Sequence, residues 1–208
     1  MAEQASIKSH PREKPNIPLG FGELYAASGD HIAHFYSSRQ EWRDVLLGFL
    51  GAGLTEGDKC VYFMKAGSES DKVHQALEDA DVGIKDAIVT GQMMFHEGAN
   101  DPQDMQTMLA DALKQVPDQY PRLRWGGDMT WSLNKCSTEE LMTWETHCNG
   151  FERSPVVFLC QYELKSFSGS VVMDAMKTHP VCIVGNAIRR NPYYMEPARF
   201  LEELPSTT

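Results

Sequence analysis

Catalysis and metal binding need nucleophiles, ligands or paired acids and bases at workable spacings, and the chain offers few of these. Cysteines stand at 60, 136, 148, 160 and 182. Their number is odd, and none has the spacing of a zinc pair or a redox couple. Cys60, Cys160 and Cys182 lie inside apolar runs, where a free thiol behaves as a small buried hydrophobe. Such burial raises the pKa of Cys160 and blunts it as a nucleophile. A Cys160–His179 pair would need the cysteine at the end of its strand, but Gln161 and Tyr162 prolong the run beyond it. His147 and Cys148 are neighbours on a predicted helix and point in different directions. His31 and His34 are three apart on a predicted strand, so they fall on opposite faces and make poor co-ligands. For these two and for His96, a structural role is the better reading. Asp128 follows Gly126-Gly127 and occupies a strand end, where a carboxylate can hold Mg²⁺. No GxxxxGK[ST] motif accompanies it, and the loop after the first strand has no glycine. The residue types therefore predict no catalytic site and no cofactor, leaving open only a haem or metal on one of the histidines.

Composition narrows the classes further. The chain has 208 residues, 42% of them apolar, enough for one domain with a sizeable core. Its 29 acidic and 19 basic side chains give a formal charge of −10, which repels phosphate backbones. Arg189-Arg190 is too small a basic couple to reverse that field, so direct nucleic-acid binding is not expected. The apolar runs are too short to span a bilayer, and MAEQASIKSHPREKP has no secretory apolar stretch. The expectation is a cytoplasmic protein without membrane contact.

The elements that must position these groups begin near residue 30. Residues 1–29, with prolines at 11, 15 and 18 and glycines at 20 and 22, read as a partly flexible extension. His31–Tyr36 is the first predicted strand. Ser38 and Glu41 form a capping box ahead of a helix with Trp42, Val45, Leu46, Phe49 and Leu50 at helical spacing. Strands follow at 59–64 and 92–96, with a helix at 69–80 between them. Asp101-Pro102 opens a helix that must stop before Pro117. RLRWGGDMTW is a strand running into a loop, and Ser137 with Glu140 caps a helix that turns Leu141, Trp144 and Cys148 inward. VVFLCQY, at 156–162, should be a central strand buried on both faces. A short helix ends at His179-Pro180, and 181–186 is the last strand. Residues 195–208 are a tail with a short helix. This alternation predicts an α/β fold: a three-layer, mostly parallel sheet with helices on both faces.

Ligands of such sheets bind beyond the carboxyl ends of the strands. The residues expected there are Tyr36, Ser37 and Arg39 after the first strand, and Asp128, Met129 and Trp131 after the fourth. Gln161, Tyr162 and Phe167 follow the fifth, His179 precedes the sixth, and Gly185-Asn186 ends it. Aromatic faces mixed with a few polar groups suit an amphipathic small molecule. Methionines at 93, 94, 105, 108, 129, 173 and 176 either fill the core or adapt it around such a ligand.

The run HIAHFYSSRQEWRDVLLGFLGAGLTEGDKCVYFM resembles the opening of the MEDS domain, the methanogen/methylotroph sensory domain. GGDMTW, CQYELKSFSG and THPVCIVGN followed by NPYY agree with it, so the likeness spans residues 30–194. The resemblance implies a relative of RecA/KaiC-type ATPases, but Tyr36–Gln40 stands where their phosphate loop would be. It further implies a stand-alone sensor of a small apolar or amphipathic ligand. A separate signalling or DNA-binding protein, or a homodimer, would carry the output. The alternatives are a ligand-free regulator of a histidine kinase, sigma factor or transcription factor, and an enzyme with a cryptic site near Asp128, Cys160 and His179.

Overall fold

Two capping boxes start two of the helices where the sequence places them. Ser38 accepts from the Glu41 N–H and opens α1 (Arg39–Thr55), and Ser137 does the same for α5 (Thr138–Cys148). The computed structural model describes residues 16–65, 67–80, 83–99, 101–184 and 187–204. In chain order the strands are β1 (Ile17–Pro18), β2 (Tyr25–Ala26), β3 (His31–Tyr36), β4 (Lys59–Phe63), β5 (Met93–His96), β6 (Leu123–Asp128), β7 (Val156–Glu163), β8 (Val181–Val184) and β9 (Ala187–Arg190). The remaining helices are α2 (Ser68–Asp79), α3 (Ile84–Val89), α4 (Pro102–Gln119), α6 (Gly169–Thr178) and α7 (Pro197–Glu203).

Seven strands form the main sheet in the order β5-β4-β6-β7-β3-β8-β9, parallel except for β9. The apolar run VVFLCQY does take the central position as β7. Residues of α1, α2 and α3 pack on one face with Ile32, Tyr62, Val157 and Leu159. Residues of α4, α5, α6 and α7 pack on the other with Phe63, Phe158, Cys160 and Tyr162. The three-layer α/β architecture is thus the one the periodicity predicts.

Several details differ from the sequence reading, which does not include α3. Helix α4 runs through Pro117. A proline in the last turn deletes one N–H donor, and the turn still closes through the Tyr120 N–H to the Val116 carbonyl at 3.0 Å. Past β8 the chain returns as β9, pairing Ile183 with Ile188; Gly185-Asn186 lies outside the described residues. Upstream, part of the extension is core: β1 and β2 pair as a hairpin, and Ile17, Leu19 and Ala26 are buried. Gly20, at φ +78°, lies so close to α1 that a Cβ there would meet the Gly48 carbonyl oxygen at 2.1 Å. The buried Arg124 secures this arm. Its guanidinium donates to Asp58 Oδ2 (2.7 Å), to the Phe49 carbonyl (3.0 Å) and to the Pro18 carbonyl (2.9 Å).

Candidate functional site

Parallel pairing of β3 with β7 sets Ala33 beside Cys160 and Phe35 beside Tyr162. Side chains alternate faces along a strand, so adjacent residues of β7 serve opposite sides of the sheet. The predicted ligand residues therefore divide among several places.

At the carboxyl edge, Tyr36 donates to Asp128 Oδ2 at 2.5 Å, while Asp128 Oδ1 accepts from the Thr130 N–H (3.0 Å) and hydroxyl (2.6 Å). Burial raises the Asp128 pKa, and burial and then Asp128 raise that of Tyr36. Both Asp128 oxygens are thus engaged within the chain. Met129 and Trp131 are buried in the 3-10 turn that follows. Ser37 and Arg39 are exposed, and Arg39 stacks over the Trp42 ring at 4.0 Å. The turn between β3 and α1 is closed by the chain's own carboxylate. Glu41 Oε2 accepts from the Ser37 N–H at 2.8 Å and the Ser38 N–H at 3.3 Å. These two backbone bonds hold the Glu41 carboxyl below its ordinary pKa. Beside the turn lies a cleft of about 460 Å³, lined by Phe21, His34, Phe35, Ser37, Glu41 and Asp44 among others. A second cleft, of about 580 Å³, runs along β5 and includes Met64, Met93 and Met94.

On the α1 face, Gln161 is saturated. Its oxygen accepts from Tyr62 (2.8 Å), and its amide donates to His34 Nδ1 (3.0 Å) and to the Trp42 carbonyl (3.2 Å). Burial pushes His34 down to about 4, against an upward pull from Glu41.

The opposite face holds what sequence reasoning missed. His31, Glu145, Cys160 and His179 converge, with ligand atoms all within 4.8 Å of one another. His31 Nε2 lies 3.0 Å from Glu145 Oε2 and 3.5 Å from Cys160 Sγ. Glu145 Oε2 is 3.3 Å from Cys160 Sγ and 3.5 Å from His179 Nε2, and Glu145 Oε1 accepts from Tyr162 at 2.5 Å. Burial alone would raise the Glu145 carboxyl, but His179, His31 and Tyr162 outweigh it and hold it down at about 2. Burial and then His31 push His179 down to about 3, so its ring is neutral. Burial and then Glu145 keep the Cys160 thiol protonated. Cys160 thus comes within 4.8 Å of the His179 ring from the middle of its strand, contrary to the expectation that it would have to stand at the end. Phe167 packs edge-on against Tyr162, so Tyr162, Phe167 and His179 belong to this side of the sheet. The ligand atoms are spaced as around a single ion, far closer than the width of a porphyrin.

One sequence signal points to this cluster. Glu145 falls on the inward stripe of α5 with Leu141 and Cys148, and a carboxylate at a core position requires a partner.

The family model "MEDS: MEthanogen/methylotroph, DcmR Sensory domain" matches residues 30–180. The chain is 30% identical over 156 residues to the transcriptional repressor DcmR of Methylorubrum extorquens, covering 72% of this chain and 58% of the repressor. Among solved structures, the KaiC-like protein PH0186 from Pyrococcus horikoshii aligns with a TM-score of 0.62 at 11% identity, covering 89% of this chain and 92% of that one. The flagellar accessory protein FlaH from Methanocaldococcus jannaschii aligns at 0.48 and 12% identity, over 82% and 81%.

Proposed function

Because this chain belongs to the MEDS family, a group of sensory domains, we propose that it senses a small amphipathic molecule and relays the signal to a separate regulatory protein, without turning over nucleotide. The regulatory character is supported by the likeness to a transcriptional repressor, of whose length the chain spans 58%. The output, through a partner or through self-association, is part of the proposal.

The observation that carries it is the turn between β3 and α1. In the RecA-like fold, a helix N-terminus after a strand is a ready-made anion site, because its backbone N–H groups and dipole favour negative charge. Here the Glu41 carboxylate already takes the Ser37 and Ser38 N–H groups. A phosphate would have to displace it and would meet its negative charge, together with that of Asp44. The cleft beside the turn is of small-molecule size. It combines the Phe21 and Phe35 rings with Ser37, Glu41 and Asp44, a lining suited to an apolar body with a donor or cationic end. Phe21 belongs to the N-terminal arm, so occupancy would act on the arm and thereby on what the arm touches.

Thermal unfolding of the full chain tests this. A short-chain alkylamine or alcohol at about 100 times its Kd adds about 2.7 kcal/mol of stability and raises the Tm, whereas MgATP leaves it unchanged. A shift with MgATP and none across the amine and alcohol panel would overturn the reading.

A further inference from the structure

The four-residue cluster behind the sheet does not depend on the cleft, and it poses a problem of its own. His179 Nδ1 faces the Ala175 carbonyl at 2.7 Å, so it carries the proton. Asn149 donates its amide to the Thr178 carbonyl at 2.8 Å, which turns its oxygen towards His31 Nδ1 at 3.3 Å. Both imidazoles are thereby set with Nε2 inward, a tautomer assignment fixed by the hydrogen-bond network. Two ring nitrogens and a carboxylate oxygen then point at one another. A proton on His31 Nε2 would answer Glu145 at 3.0 Å but leave His179 Nε2, fully buried, with no hydrogen-bond partner among the described residues. One positive centre shared by all four side chains resolves the whole arrangement.

We propose that His31, Glu145, Cys160 and His179 form a closed, four-coordinate site for a divalent transition-metal ion of the zinc class. Tetrahedral zinc with ligand bonds of about 2.0–2.3 Å separates its ligand atoms by about 3.3–3.8 Å. Four of the six ligand-atom pairs in this cluster lie 3.0 to 3.5 Å apart, and all six lie within 4.8 Å. Two nitrogens, one oxygen and one sulfur are a borderline-soft donor set, which favours zinc over magnesium or calcium. The outer shell has the form metal sites use, with each ring's other N–H held by an oxygen and the carboxylate held by Tyr162. Loading replaces the Cys160 S–H bond with a metal–sulfur bond and releases that proton to solvent, with no change of oxidation state. The dication is then balanced by two anionic ligands, as a buried site requires. All four side chains are buried, so no position opens to substrate. The ion's role is to clamp β3, β7, α5 and the turn after α6 together, and it enters as the chain folds.

The test is to unfold the full chain in chelator, refold it with one equivalent of Co²⁺ or Zn²⁺, and pass it through gel filtration. The expected result is one retained equivalent, tetrahedral d–d bands with Co²⁺, a near-ultraviolet thiolate-to-cobalt band, and a higher Tm than the metal-free chain. Cys160→Ser abolishes the thiolate band, and Cys136→Ser, outside the cluster, keeps it. Asn149→Ala weakens affinity by about 10- to 100-fold. If the wild type folds and retains no cobalt, or shows no thiolate band, the site is refuted. A thiolate band unchanged in Cys160→Ser would place the metal elsewhere and refute it equally. The wild-type spectrum decides by itself if the serine variant does not fold.

Discussion

Cys160 and Gln161 are neighbours on one strand, yet they serve two buried polar networks of opposite character. On the α1 face, a neutral amide meets a phenol, an imidazole and a carbonyl, and every hydrogen-bonding group of Gln161 finds a complement. On the α5 face, an ionised carboxylate meets two imidazoles, a thiol and a phenol, and one ring nitrogen is left over. Satisfied neutral networks define a unique core. A network with surplus lone pairs around a buried charge is arranged to receive something. The difference separates scaffold from site more sharply than the residue types do, since each network contains histidine.

The largest expected effect comes from the charged side. Glu145→Ala in the metal-free chain strips the partner from the buried His31 ring, Cys160 thiol and Tyr162 hydroxyl at once and, at about 1–3 kcal/mol for each unsatisfied buried group, should destabilise by more than about 3 kcal/mol, read from urea unfolding at neutral pH. If it costs no more than a change on the Gln161 side, the contrast fails.

Acid separates the two networks next. His34 is held neutral down to about 4 by burial, below its ordinary 6.5, so the unfolded chain binds its proton first. The stability tied to neutral His34 is complete above pH 6.5 and is lost as pH falls towards 4, about 3 kcal/mol in all. His179 titrates in a window that starts at the same pH and extends to about 3. The Glu145 carboxylate, held down at about 2, adds a loss only below its ordinary 4.5. Urea unfolding at successive pH values should therefore show His34→Gln reducing the slope between pH 6.5 and 4, where the contribution of His179 remains, and leaving the loss below pH 4 unchanged. An unchanged slope between pH 6.5 and 4 would show that His34 is not the neutral acceptor described.

The smallest effect is expected from Gln161→Leu, which leaves the Tyr62 hydroxyl and His34 Nδ1 without this partner. A loss of about 1–3 kcal/mol follows for an unsatisfied buried group, with no change in metal retention. Loss of retained cobalt in this variant would mean that the two faces are coupled through β7.

Local signals made the architecture legible. Ser38 with Glu41, Ser137 with Glu140 and Asp101 before Pro102 each mark a helix start through bonds among near neighbours, and VVFLCQY is apolar enough to demand the centre of the sheet. The return strand Ala187–Arg190 was not legible, because its half-exposed residues carry no strand-like alternation. The cluster was harder still. Its members come from β3, α5, β7 and the residue after α6, and only the pairing register brings them together. In sequence His31 has His34 as its neighbouring candidate, whereas its partners lie 114 and 129 residues away. Of the strand-end residues, Tyr36 and Asp128 meet at the carboxyl edge. Tyr162, Phe167 and His179 were assigned to that edge because a sequence does not reveal which face of a strand a side chain takes until the register is known.

The bond from Arg124 to the Pro18 carbonyl has a bearing on where the folding unit ends. The family model matches 30–180, a span that stops short of the arm accepting this bond, and of β8, β9 and Phe200 on the far side. A fragment cut at those limits would strand a buried guanidinium donor and uncover β3 along one flank. The heritable signature and the smallest self-supporting piece are therefore different objects, and the second is longer at both ends.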